Sequence, residues 1–221
     1  MKIGIITYNR HHHKTFQIIK GLLKKKYEIT LIISKYKPYK KRKIHLKHRP
    51  NQFNGKNINQ SIKGLNLKLR KLEDGNIYDD LDYVLVGGSG ILKKKYIKKN
   101  FIINCHPGLI PQTRGLDSIK WALYNNEIVG NTLHFIDERV DAGKPIAHKV
   151  TKLYKSDNLS NFFKRHYKNE INLLINFEKY LNSKNKIKLN KKKAHMRMPY
   201  KLEKELATKF KNYKRDKLEN A

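Results

Sequence analysis

The sequence predicts an α/β fold with a mainly parallel central sheet flanked by helices. Short apolar runs of strand length alternate along the chain with stretches whose apolar residues recur at helical spacing. The chain opens on one such β-α-β unit. Its 221 residues make one domain, or one domain with an arm, at roughly 100–200 residues per domain. A chain of this size buries about 70% of its unfolded surface, so a real core is expected.

Residues 2–7 are a short apolar run, read as a buried strand. Phe16, Ile19, Leu22 and Leu23 mark a helix over 14–25, and residues 28–33 form a second strand. Two prolines (Pro38 and Pro50), charge and weak periodicity make 34–60 a long loop. Ile62, Leu65, Leu69 and Leu72 predict a helix over 61–72. A strand over 81–86 runs into Gly87-Gly88-Ser89-Gly90, followed by a short helix over 93–99 and a strand over 101–104. The loop 105–116 leads to a helix near 117–125. Residues 131–136 alternate as a strand, with Leu133 and Phe135 on one face and Thr132, His134 and Ile136 on the other. A turn at Asp141-Ala142-Gly143 leads to a strand over 145–151. The clearest helix spans 158–181, capped by Ser156 or Asp157. Residues 182–198 are polar and basic, and Pro199 starts a last helix carrying Leu202, Leu206 and Phe210. The division expected is a domain over 1–181 and a basic arm over 182–221. Ligands of such a sheet sit at the carboxyl ends of its strands, which singles out the loops after Val86, Ile103 and Ile136.

The formal net charge of +32 first suggests nucleic acid. However, lysines number 41 and arginines 9, and Lys, Ile and Asn together make 87 residues, the pattern of A/T-rich codons. Nucleic-acid readers favour arginine, whose planar fork grips phosphates and guanine edges. Residues 34–56 carry nine Lys/Arg and no acid, whereas 101–150 balance five basic against five acidic residues. The lysines are either a solvated surface or an anion-attracting one. A single cysteine, Cys105, excludes a disulfide framework. It also excludes a cysteine-based zinc site. No apolar run is long enough to span a bilayer, and the first residues lack a signal peptide's apolar core. A soluble, cytoplasmic protein is the expectation.

Chemistry concentrates in Asn104-Cys105-His106-Pro107-Gly108-Leu109-Ile110-Pro111, then Arg114-Gly115. Further on come Gly130-Asn131-Thr132-Leu133-His134 and Asp141-Ala142-Gly143. Asn104 and His106 lie two apart and point the same way in extended chain, with Cys105 turned away as a packing residue. An amide NH₂ or an imidazolium can stabilise negative charge growing on a carbonyl oxygen. A nearby carboxylate can hold such a histidine charged, or relay a proton.

In order, spacing and residue type these motifs resemble the N10-formyltetrahydrofolate-dependent formyltransferase family. That family's mark is Asn-x-His-Pro-(Ser/Gly)-Leu-Leu-Pro, then Gly-x-Thr-x-His, then a late Asp before a Gly. The resemblance is firm over 82–150, loose over 1–81 and nearly absent after 160. It implies a Rossmann-like fold and assigns the catalytic roles to Asn104, His106 and Asp141. It implies 10-formyltetrahydrofolate as formyl donor, bound along Gly88, Ser89, Gly90, Ile91 and Leu92 and beside Val140, with no metal. The three adjacent histidines 11–13 point different ways and predict none. Arg10, Lys14, Arg114, Thr132 and His134 are the candidate acceptor-binding residues, although Thr132 and His134 also suit an ordinary strand face.

The family's purine branch carries a Gly-Ser-Asn phosphate-binding turn after its first strand, where this chain has Thr7-Tyr8-Asn9-Arg10. Arg10 and Lys14 still flank a helix N-terminus and suit a phosphate. The methionyl-tRNA branch has a further C-terminal barrel, and the deformylating branch an N-terminal regulatory domain; neither is expected here. A nucleotide-linked amino sugar is therefore the acceptor that the resemblance implies, with glycinamide ribonucleotide as the alternative. A homodimer fits the family. A non-catalytic nucleic-acid binder on the same fold is the rival from another class.

Overall fold

The computed structural model describes residues 1–38, 42–98, 100–183 and 187–219. Outside them fall 39–41 of the expected basic loop, 99 of the expected short helix, 184–186 of the polar stretch and the last two residues. The chain is an α/β fold whose strands are mainly parallel, with flanking helices. It divides into two compact units.

The first unit takes in described residues of 1–38, 51–104 and 135–138. Strand β1 (Lys2–Tyr8) is buried over Ile3–Thr7 and pairs in parallel with β2 (Glu28–Ser34) and β4 (Tyr83–Val86). Strand β2 pairs in parallel with β3 (Lys68–Lys71), and β4 with β5 (Ile102–His106). Because β1 lies between β2 and β4, the connections leave it in opposite directions, so its carboxyl end is a switch point where α/β sheets take ligands. Helix α1 (His13–Lys24) buries Phe16, Ile18, Ile19 and Leu22, as its spacing predicts. Ile6, Ile32, Val84 and Ile102 form a core cluster with Leu72 and Ile77.

The helix expected over 61–72 is not there. A short helix α2 (Ile58–Ile62) stops before Gly64, which takes φ +83°, and the chain continues as β3. Leu69, counted toward the helical stripe, is 48% exposed. The helix expected over 93–99 shrinks to a 3-10 turn, Lys94–Tyr96.

The second unit takes in described residues of 42–50, 105–134 and 139–219. Strand β6 (Gly130–Phe135) pairs antiparallel with β7 (Pro145–Val150), with an irregularity between Leu133 and His134. Strand β6 is buried on both faces rather than alternating. Helices α3 (Ser118–Tyr124), α4 (Leu159–Ile175) and α5 (Tyr200–Glu219) share one core, with Ile119 and Leu123, Phe162 and Phe163, and Leu206, Phe210 and Tyr213 packed together. The cap of α4 is Asn158, which accepts from the Asn161 N–H at 2.9 Å, not Ser156 or Asp157. Asp157 instead binds both arms of Arg165, at 2.6 and 2.7 Å.

Two arginines of the basic loop are held by buried acids: Arg42 by Asp117 and Glu203, and Arg49 by Glu170. The fully buried Lys120 also pairs with Glu203, at 2.8 Å. Part of the positive charge therefore works inside the fold. Among the described residues no helix is long and apolar enough to cross a membrane.

Candidate functional site

Strand β5 sets the first two functional side chains. Its alternation turns Cys105 into the core, 1% exposed, while Asn104 and His106 share the other side. His106 is the last strand residue, and the loop from Pro107 is then pinned by β6. The Thr132 hydroxyl donates to Gly108 O at 2.7 Å and accepts from the Ile110 N–H at 2.9 Å. This bracing takes the one hydroxyl hydrogen of Thr132, so none is left for an acceptor molecule.

The turn after β6 brings Asp141 to His106, with Nδ1 3.3 Å from Oδ1. The other ring nitrogen, Nε2, lies 3.0 Å from Thr113 O and 3.0 Å from Ser118 Oγ. The Ser118 hydroxyl donates to Gly115 O at 2.8 Å, so toward the ring it accepts. Each ring nitrogen thus faces acceptors. Both nitrogens are engaged in this arrangement, so an oxyanion would meet no unoccupied N–H of His106.

Asp141 adopts φ +48°, a left-handed conformation that aspartate tolerates better than most residues. Its second oxygen, Oδ2, accepts from the Gly115 N–H at 3.2 Å. Burial pushes its carboxyl up, but His106 (by charge and hydrogen bond), the charge of His134 and the Gly115 N–H outweigh burial. The net position is below the ordinary carboxylate range. His134 is 2% exposed and joins the group through that electrostatic effect. Arg114 does not reach the pair with its side chain; its Nε is buried and makes no hydrogen bond. Val140, beside Asp141, is 48% exposed.

Thr113, Gly115 and Ser118 are the residues that sequence reasoning missed. The Arg114-Gly115 step was the available signal, since Gly115 takes φ +88°, which an L side chain rarely adopts.

In the first unit the loop after β4 divides in two. Gly88 packs on aromatic rings, and a Cβ there would lie 2.8 Å from both Tyr8 Cε2 and His12 Cε1. Leu92 joins the core cluster of that unit. Ser89 is half-buried, Gly90 opens onto free space and Ile91 is 83% exposed, a stretch of backbone that a flat ring can approach.

The first turn of α1 is arranged differently from the expectation for Arg10 and Lys14. The His13 N–H donates to Gln52 O at 2.8 Å and the Lys14 N–H to Gln52 Oε1 at 3.2 Å. Lys14 is 5% exposed, and the Arg10 guanidinium lies 5.1 Å over the Tyr36 ring. Among the described residues no group of three or more His, Cys, Asp or Glu is placed to hold a metal ion.

Comparison with known proteins gives the family and the fold. The family model described as formyl transferase matches residues 10–177. A methionyl-tRNA formyltransferase of a Nitratiruptor species is 33% identical over 101 residues, which is 42% of this chain but only 33% of that relative. A sugar N-formyltransferase from Shewanella sp. FDAARGOS_354 superposes with a TM-score of 0.58 at 19% identity, covering 88% of this chain and 76% of the other. An N-formyltransferase from Helicobacter canadensis, solved with folinic acid and dTDP-3-aminofucose, gives 0.59 at 18% identity, covering 82% and 64%. At these identities the likeness to solved structures establishes the fold.

Proposed function

The chain belongs to the formyl transferase family, and from that premise we propose that it moves a formyl group from 10-formyltetrahydrofolate to a primary amine. The observation that carries this reading is the His106–Asp141 pair, Nδ1 to Oδ1 3.3 Å, at the end of the strand that also bears Asn104. Ser89, Gly90 and Ile91 fit the donor, since backbone with open space at Gly90 and an exposed apolar side chain suit a flat ring. The donor, when bound, supplies the activated formyl group. The Asn104 amide would donate to the oxygen on which negative charge grows, a contribution whose loss typically costs about 10²–10³ in rate. Asp141 would take the proton released by the attacking amine, and His106 would hold Asp141 in place and add positive charge.

A nucleotide-linked amino sugar is the acceptor class we propose. Gln52 already engages the first-turn amides of α1, which removes the anion site that a phosphate monoester would use there. The complex of the Helicobacter canadensis enzyme with dTDP-3-aminofucose supports the same class.

The test offers 10-formyltetrahydrofolate with amino sugar nucleotides, glycinamide ribonucleotide and methionyl-tRNA, and follows tetrahydrofolate release. The highest kcat/KM should fall on an amino sugar nucleotide. Highest turnover with glycinamide ribonucleotide would overturn the acceptor class, and no turnover with any amine would overturn the reaction.

A further inference from the structure

In the second unit the stretch 187–198 runs alongside the loop 110–117 in the same direction. It begins where His148 ties the two together, its Nδ1 accepting from the Ile187 N–H at 2.9 Å and its Nε2 lying 2.9 Å from Ile110 O. The Lys192 N–H then donates to Pro111 O at 3.2 Å, and His195 forms an isolated parallel bridge with Gly115. In that bridge the His195 N–H donates to Arg114 O at 2.8 Å and the Leu116 N–H to His195 O at 2.9 Å. The Met198 N–H donates to Asp117 Oδ2 at 3.1 Å. The contact is close enough that a Cβ on Gly115 would lie 2.2 Å from His195 O.

Two short routes lead from this strap to His106 and Asp141. Along the first, the bridge fixes Gly115, whose N–H binds Asp141 and whose carbonyl orients Ser118 against His106. Along the second, the Lys192 ammonium pairs with buried Glu127, which accepts from the Thr113 hydroxyl at 3.0 Å, and Thr113 O faces His106 Nε2. Along these routes the strap side chains that take part are Lys192 and His195, while Trp121 Nε1 also donates to Met196 O at 2.8 Å and Met198 is buried in the shared core. The His195 ring stacks on Trp121 at 4.8 Å between centroids, and its Nε2 is buried without a hydrogen bond. The ring stacks as a flat face, and the charges of Glu127 and Lys192 act on it in opposite directions.

We propose that the strap 187–198 is a positioning device for the His106–Asp141 pair, anchored by the stacking of His195 on Trp121. The proposal rests on the roles given above to His106 and Asp141, but its test does not need turnover. The His106 ring-proton resonance is titrated in the full chain, without substrate, for wild type, His195→Ala and His195→Phe. Loss of the stack in His195→Ala should displace the His106 midpoint by roughly half a pH unit or more, the scale expected when a charged partner at close range is misplaced. His195→Phe keeps a stacking face and should titrate as wild type. Lys192→Met, at an exposed side chain, should displace the midpoint in its own right through the Thr113 route. In the transfer assay His195→Ala should lower kcat about tenfold with KM for the donor changed less than about twofold, and His195→Phe should restore it. Wild-type titration in His195→Ala would overturn the proposal, whatever Lys192→Met does, as would a His195→Phe chain as impaired as His195→Ala. A wild-type chain that turns over no amine overturns the proposed reaction and leaves the titration result standing.

Discussion

Asp141 divides its two oxygens between the His106 ring and the Gly115 N–H, and both interactions favour its charged form. Asp141→Asn should therefore lower kcat by at least about 10², measured as tetrahydrofolate release. It should also change acid stability. The folded carboxyl lies below its unfolded value of about 3.9, so its contribution is complete above that pH and is lost as pH falls through the folded value. Urea unfolding should show the gap between wild type and Asp141→Asn closing as pH drops below about 4. His166 gives a second pH signature. Burial first, then the charges of Arg49 and His106, push it down to about 4 against the opposing effects of Glu170 and Pro107 O. It stays neutral in the fold while the unfolded chain protonates below about 6.5, so stability should rise with pH between these values by up to about 1.4 kcal/mol per unit. His166→Gln should flatten that slope. At this scale the meeting of His106 and Asp141 was legible because their motifs keep order and spacing. Thr113 and Ser118 were not, because they act through a backbone carbonyl and a hydroxyl that carry no motif of their own, and Gly115 showed only as part of the Arg114-Gly115 step.

Among the elements, β1, β2, α1 and α5 follow apolar patterns readable in the chain, continuous runs for the buried strands and helical spacing for the helices. The stretch 58–72 misled because Ile62, Leu65, Leu69 and Leu72 fit helical spacing while the chain pairs residues 68–71 with β2. Spacing reports periodicity but not which residues are buried. Leu69→Ser should thus change unfolding free energy by no more than about 0.5 kcal/mol, whereas Leu72→Ala, 7% exposed in the native chain, should cost about 2–5 kcal/mol. Equal losses in denaturant melts would restore the helical reading. Helix α5 belongs with the core elements: Phe210, 4% exposed and 5.4 Å from the Phe162 ring, should cost about 3–5 kcal/mol on change to alanine.

Across the whole molecule a net charge of +32 must repel itself, even with Arg42, Arg49, Arg165 and Lys120 matched to buried or half-buried acids. Raising ionic strength from about 0.01 to 0.15 M shortens the Debye length from about 30 to 8 Å. Tm should rise over that range in thermal melts; a falling Tm would mean that the ion pairs outweigh the repulsion. Global charge of this kind was legible from composition, but its division between solvent and interior was not, since the acids that take up Arg42 lie 75 and 161 residues away. The strap has a consequence that can be followed in time. Leu116 is 41% exposed, so its amide would ordinarily exchange with solvent within a short delay, yet its hydrogen is held by His195 O. Deuterium uptake at that single amide clocks how often the strap lifts, through a local opening far smaller than unfolding, and so makes Leu116 a built-in gauge of how long His106 and Asp141 stay assembled.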